Sequence, residues 1–138
     1  MRVLIMHTDH PKVQASAVAL QQGLEKQGLN VGLVSPSTVS SAPVSTAPYH
    51  LVCVISEFKG WWKPQIPTEV DNLLKRATRL AGKRGGAFVI PGLGSGKALR
   101  ALMAHMERQG VMVEDFGTLS GEQQALATAE RLGRLVLG

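Results

Sequence analysis

With a single cysteine, Cys53, the chain can form no internal disulfide, which points to a reducing, cytoplasmic setting. No stretch approaches the ~18 apolar residues of a membrane span. The opening run from Met1 to His7 is too short for a signal peptide, so no membrane attachment is expected. Large aromatics are scarce: three Phe, two Trp and one Tyr in 138 residues. Acids are the minority charge, ten against fifteen Lys and Arg, for a formal net charge of +5. That surplus fits a solvated basic face, an anionic ligand or an acidic partner. Nucleic acid is not expected, because the cluster Lys75, Arg76, Arg79, Lys83 and Arg84 has no stacking aromatics interleaved with it. No internal repeat of diagnostic period is present.

What is there is a chain of one domain's length, expected to span residues 1–138 and to bury roughly two thirds of its extended surface. Arg2 to His7 reads as a first strand. From Lys12 to Gln27, Val13, Ala17, Leu20 and Leu24 recur at spacings of three and four, the signature of a helix with one apolar stripe. Gly28 stops it, and Asn30 to Val34 is a second strand. Ser35 to Pro48 carries no charge and is rich in Ser, Thr, Pro and Ala. It reads as a loop concealing a short helix or as a mobile segment, and as the least protected internal stretch. His50 to Ile55 is the most continuous β-branched run, expected at the sheet centre with both faces covered.

Downstream, a helix is expected from Thr68 to Ala81, a fourth strand at Ala87 to Ile90, and a helix bearing Leu99, Leu102, Met103 and Met106 on one side. A fifth strand follows at Val111 to Val113. A last helix starts near Ser120, with Leu126, Ala129, Leu132 and Val136 buried. Such alternation gives a three-layer α/β/α architecture: a five-stranded parallel sheet, order 2-1-3-4-5, with right-handed crossovers. Ligands of such sheets sit beyond the carboxyl ends of the strands. Three loops therefore matter, His7 to Lys12, Ser56 to Pro67 and Pro91 to Gly96.

These segments resemble the flavodoxin and NADPH-dependent FMN reductase superfamily over nearly the whole chain, by order and spacing more than by motif. The most telling stretch is Ser56, Gly60-Trp61-Trp62, Pro67, the helix from Thr68 and Gly82-Lys83. The run Ala87 to Ile90, then Gly94-Ser95-Gly96, and later Gly110 before Val111-Met112-Val113, is similar to the family's fourth strand, third flavin loop and fifth strand. The resemblance implies FMN as cofactor, and either electron transfer with a redox partner protein or a small NAD(P)H-dependent flavin reductase. A homodimer is a further expectation. Two features depart from the pattern. The family's phosphate loop is Ser/Thr-rich with a Gly, whereas His7-Thr8-Asp9-His10-Pro11-Lys12 has one hydroxyl and no Gly, and flavodoxins proper are acidic. The other reading is accordingly a flavin-free flavodoxin-like module that binds a protein partner or an anion.

Taken one at a time, the loops offer these groups. In the first, a helix N-terminus supplies N–H groups and a positive dipole end, to which Thr8 adds a hydroxyl and Lys12 a charge, with His10 beside them. Asp9 would oppose a dianion unless it caps the helix ahead of Pro11. His7, Asp9 and His10 lack a fourth ligand for a metal. In the second, Ser56, Glu57, Phe58, Gly60, Trp61 and Trp62 are the candidate ring contacts, because a flat, mostly apolar ring is held by stacking. In the third, Gly92, Leu93, Gly94, Ser95 and Gly96 give a backbone able to approach a ring closely. It is no P-loop: Pro91 stands where the first Gly belongs and Ala98 where the Ser or Thr belongs. Cys53, mid-strand, reads as an inert core thiol, and no residue is an obvious general acid or base, which favours a carrier over an enzyme. A phospho-acceptor site would need paired acids where His7-Thr8-Asp9 stands, and no Gly-x-Ser-x-Gly elbow is present.

Overall fold

The computed structural model describes residues 1–39 and 42–137. Its elements are β1 (Arg2–His7), α1 (Pro11–Glu25), β2 (Asn30–Val34), α2 (Pro36–Val39), β3 (Val44–Ser45), β4 (Leu51–Ser56), α3 (Thr68–Arg76), β5 (Ala77–Thr78), β6 (Arg84–Val89), α4 (Ser95–Arg108), β7 (Met112–Thr118) and α5 (Gly121–Leu137). Five strands form a parallel sheet in the order β2-β1-β4-β6-β7. Counted along the chain, these are the expected strands in the expected order 2-1-3-4-5.

The period of two along each strand divides the core between the two faces. Leu4 and Met6 of β1 with Val52 and Val54 of β4 join Val70, Leu73 and Leu74 of α3 and Leu102 and Met106 of α4. Val3, Ile5, Leu51, Cys53 and Ile55 point the other way, onto Val13, Ala17 and Leu20 of α1 and Ala129 and Leu132 of α5. Every residue of β4 is buried, as a central strand between two helical layers must be.

Several sequence expectations need correction. Helix α3 ends at Arg76 rather than Ala81, because Ala77 and Thr78 leave the helix to pair with Val44 and Ser45. Leu80 still reaches the core, but Ala81 is exposed. The apolar spacing could not distinguish a continuing helix from this short bridge. Residues 35–48 conceal a short helix, α2, one of the two readings of that segment, and add the unexpected β3; the Thr46 backbone N–H and hydroxyl both donate to the Thr78 carbonyl at 3.3 and 2.5 Å. Ser40 and Ser41 of that segment lie outside the described residues.

Strand β6 begins at Arg84, three residues earlier than expected, because its two glycines belong to the sheet. A Cβ on Gly85 would stand 2.5 Å from Val111 Cγ1 and 2.9 Å from the Val52 carbonyl oxygen. Strand β7 runs on to Thr118 as an edge strand. Glu114 falls out of register beside a bulge and pairs with Arg84 at 2.7 Å, while Asp115 pairs with Arg131 at 3.0 Å. In α5 the buried stripe is Ala125, Thr128, Ala129, Leu132 and Gly133, which leaves Leu126 exposed and Val136 partly covered.

Among the described residues no helix is long and apolar enough to cross a membrane.

Candidate functional site

The carboxyl ends of the strands, at His7, Val34, Ser56, Val89 and Thr118, share one rim of the parallel sheet. Three of the segments that emerge there carry the candidate residues: 8–10, 57–67 and 90–94.

The first is a tight turn into α1, whose N-cap is His10 rather than Asp9. The His10 ring Nδ1 accepts the Lys12 backbone N–H at 3.2 Å, its carbonyl accepts the Gln14 N–H at 2.9 Å, and Pro11 takes the first helical position. Asp9 instead accepts the Ser37 hydroxyl at 2.7 Å. That bond, from the Ser/Thr-rich segment after β2, holds the Asp9 carboxyl below the usual carboxylate range. Thr8 is fully buried and its hydroxyl donates to Glu57 Oε1 at 2.5 Å. His7 bonds the Thr8 carbonyl through Nδ1 at 2.9 Å. His7, Asp9 and His10 thus face three different partners.

The second segment is clasped at its base. Lys59 and Gln65 exchange both backbone hydrogen bonds, at 3.1 and 2.8 Å, so that residues 60–64 form a short tip. Gly60 turns that tip with φ +85°, and a Cβ there would lie 3.3 Å from the Lys63 carbonyl oxygen. Ser56 is buried and its hydroxyl donates to the Glu57 carbonyl at 2.7 Å. Phe58 is half-buried against the core. The two tryptophans stand clear of it, 60% and 66% exposed, with ring centroids 5.7 Å apart and planes at 77°. This edge-to-face arrangement is a favoured one for aromatic pairs.

The third segment lies on the second. Gly94 has φ +88° and begins α4 with no side-chain cap. A Cβ on it would meet the Trp61 carbonyl oxygen at 2.8 Å and Trp61 Cα at 2.9 Å. Only glycine satisfies both the backbone conformation and the contact. Leu93, beside it, is 75% exposed. From α4, Lys97 reaches back: its Nζ lies 5.1 Å above the Trp62 ring and 3.5 Å from the Trp62 carbonyl oxygen. Gly92 faces Phe58, while Ser95 and Gly96 form the first turn of α4.

The structure therefore brings Trp61, Trp62, Leu93, Gly94 and Lys97 together as one apolar and cationic surface. Thr8, Asp9, Glu57 and Ser37 form a separate hydrogen-bonded knot. Ser37 had no local sign in the sequence beyond a Ser/Thr-rich stretch, and the Gly94–Trp61 contact had none. Cys53 is buried at the sheet centre, and burial pushes its thiol up to about 12, away from nucleophilic chemistry.

No family model matches the chain, and no curated protein sequence does. Solved structures do. Oxidised flavodoxin 2 from Bacillus cereus superposes with a TM-score of 0.75 at 15% identity, covering 98% of this chain and 99% of that one. The flavodoxin of Streptococcus pneumoniae TIGR4 gives 0.73 at 17% identity, over 99% and 100%. An archaeal flavodoxin gives 0.69 at 20% identity, over 99% and 96%. The chain has a flavodoxin-like fold. At these identities the likeness is one of architecture, so what the rim does must be argued from its own residues.

Tested against FMN, the two ends of the flavodoxin-like rim differ. The ring end fits: two exposed aromatics, an apolar Leu93 and a cation suit a flat, electron-poor ring. The phosphate end does not. Pro11 has no N–H to give, the Lys12 amide is taken by the His10 ring, which leaves that of Val13, and the Thr8 hydroxyl is taken by Glu57. Asp9 adds a carboxylate at the helix start.

Proposed function

We propose that the chain is a flavin-binding electron-transfer module, exchanging electrons with a redox partner protein. A bound flavin supplies the redox chemistry. The residues that hold its ring are Trp61 and Trp62, with the turn Gly92 to Gly96 and Lys97 beside them. The observation that carries this reading is the exposed, edge-to-face tryptophan pair, clasped at the ligand end of a flavodoxin-like sheet. Two adjacent exposed tryptophans mark a surface that a ligand or partner covers, and the proteins of like fold named above are flavodoxins. The small NAD(P)H-dependent reductase stays the narrower variant of the same proposal, told apart by flavin-dependent oxidation of NAD(P)H.

A second reading is favoured by two contacts. Gly94 rests on the Trp61 backbone, and Thr8 is bonded to Glu57. A flavin-free module would use the same tryptophans to dock a protein partner or an anion.

Titration with FMN distinguishes the two. Both tryptophans are exposed, so a stacked flavin should quench most of their fluorescence and saturate. Replacing both with alanine should weaken binding by about 1–3 kcal/mol, from roughly 0.5–1.5 kcal/mol per aromatic pair beyond area burial. Saturable binding that is unchanged in the double variant would move the site away from the tryptophans. Absence of binding would leave the flavin-free module.

A further inference from the structure

We infer that this site selects its flavin by the ring and makes no use of the phosphate, so that riboflavin binds as tightly as FMN. The inference rests on the flavin-binding reading and concerns which part of the ligand the chain recognises. A phosphate at a helix N-terminus needs free backbone N–H groups, hydroxyl donors and no competing negative charge. The start of α1 meets these needs poorly. Of the amides of its first three residues, Pro11 has none and that of Lys12 is bonded to the His10 ring, which leaves that of Val13. Its one hydroxyl, on Thr8, is fully buried and donates to a carboxylate 49 residues away in sequence.

Two carboxylates at this corner would repel a dianion. Asp9 is exposed, and the Ser37 hydroxyl bonded to it favours its ionised form. Glu57 lies against Thr8. Against these two carboxylates stands one cation, Lys12, exposed in the first turn of α1, while Lys97 lies over Trp62 rather than at α1. The ring-side surface, by contrast, is built the same whether or not the ribityl chain ends in phosphate.

The test is a pair of dissociation constants at low ionic strength, for FMN and for riboflavin, read by flavin and tryptophan fluorescence. The expected result is that riboflavin binds as tightly as FMN or up to severalfold tighter, because a phosphate held by even one charge-assisted hydrogen bond would instead give FMN about tenfold or more. FMN binding tenfold or more tighter than riboflavin overturns the inference while leaving the flavin reading intact. If Lys97→Gln then abolishes that preference, the phosphate sits at the start of α4 instead. Binding of neither ligand removes both the inference and the reading beneath it. Asp9→Asn supplies an independent check on the repulsion. It should tighten FMN severalfold and leave riboflavin unchanged; an equal change for both means that Asp9 acts only through the fold, against the inference.

Discussion

At the scale of single residues, the rim depends on Gly94 more than on any side chain. Its φ of +88° and its contact with the Trp61 backbone each exclude a Cβ. Gly94→Ala should cost about 1–3 kcal/mol, the range for strained backbone, and should separate the two loops it joins. Gly96, two residues on, has nothing within 4 Å of a built Cβ. Gly96→Ala in the first turn of α4 should therefore be neutral or stabilising by up to about 1 kcal/mol. Urea denaturation of the two variants compares them directly, and equal midpoints would mean that the Gly94–Trp61 contact is dispensable. The tryptophans were legible in the sequence, since two adjacent members of a set of six aromatics beside Gly60 are hard to place in a core. The knot around Asp9 was not legible. Its bonds join residues 28 and 49 positions apart, and capping chemistry pointed Asp9 at the helix, whereas the neighbouring His10 ring took that role.

At the scale of elements, periodicity located what is locally determined. The expected ranges of β1 and β2 match, and β4 and α1 shift by one or two residues at their ends. Periodicity failed where a distant partner decides. Helix α3 stops early because β3 lies waiting beside Ala77, and β6 starts early because Val111 and Val52 close over Gly85, which has no side chain to signal a strand. The same close approach governs the α1–α5 pair, where a Cβ on Gly23 would stand 2.8 Å from Ala129 Cβ. Gly23→Ala gains helix propensity in α1 but overpacks this crossing, with a net expected loss of about 1–2 kcal/mol. If sterics are the cause, Ala129→Gly should relieve it. A double-mutant cycle should then show coupling of about 0.5 kcal/mol or more. Additive effects would place the cost in α1 alone.

At the scale of the whole molecule, charge sets how the fold responds to acid. The chain carries a net charge of +5 with His neutral, and protonating its ten carboxylates and four His drives it strongly positive, so self-repulsion grows as pH falls. Two acids add specific terms. Lys75 is bonded to Asp71 at 2.9 Å, and the His105 ring lies 3.3 Å from it. The Lys75 bond foremost, with His105 contributing, holds the Asp71 carboxyl below its usual value, as Ser37 does for Asp9. A carboxyl whose pKa is lower folded than unfolded contributes stability that is complete above the unfolded value, near ~3.9. That contribution is lost as pH falls through that value toward the folded one. Urea midpoints should therefore hold from neutrality to about pH 5 and drop between about pH 4.5 and 3. Asp71→Asn should lower the midpoint at pH 7 and flatten part of the drop, because its term is already gone. Added salt should recover some of the loss at pH 3 by screening the positive charges. A midpoint that stays level from pH 7 to 3, or a wild-type and Asp71→Asn pair separated equally at both ends, would show that Asp71 lends the folded state no charge-dependent stability.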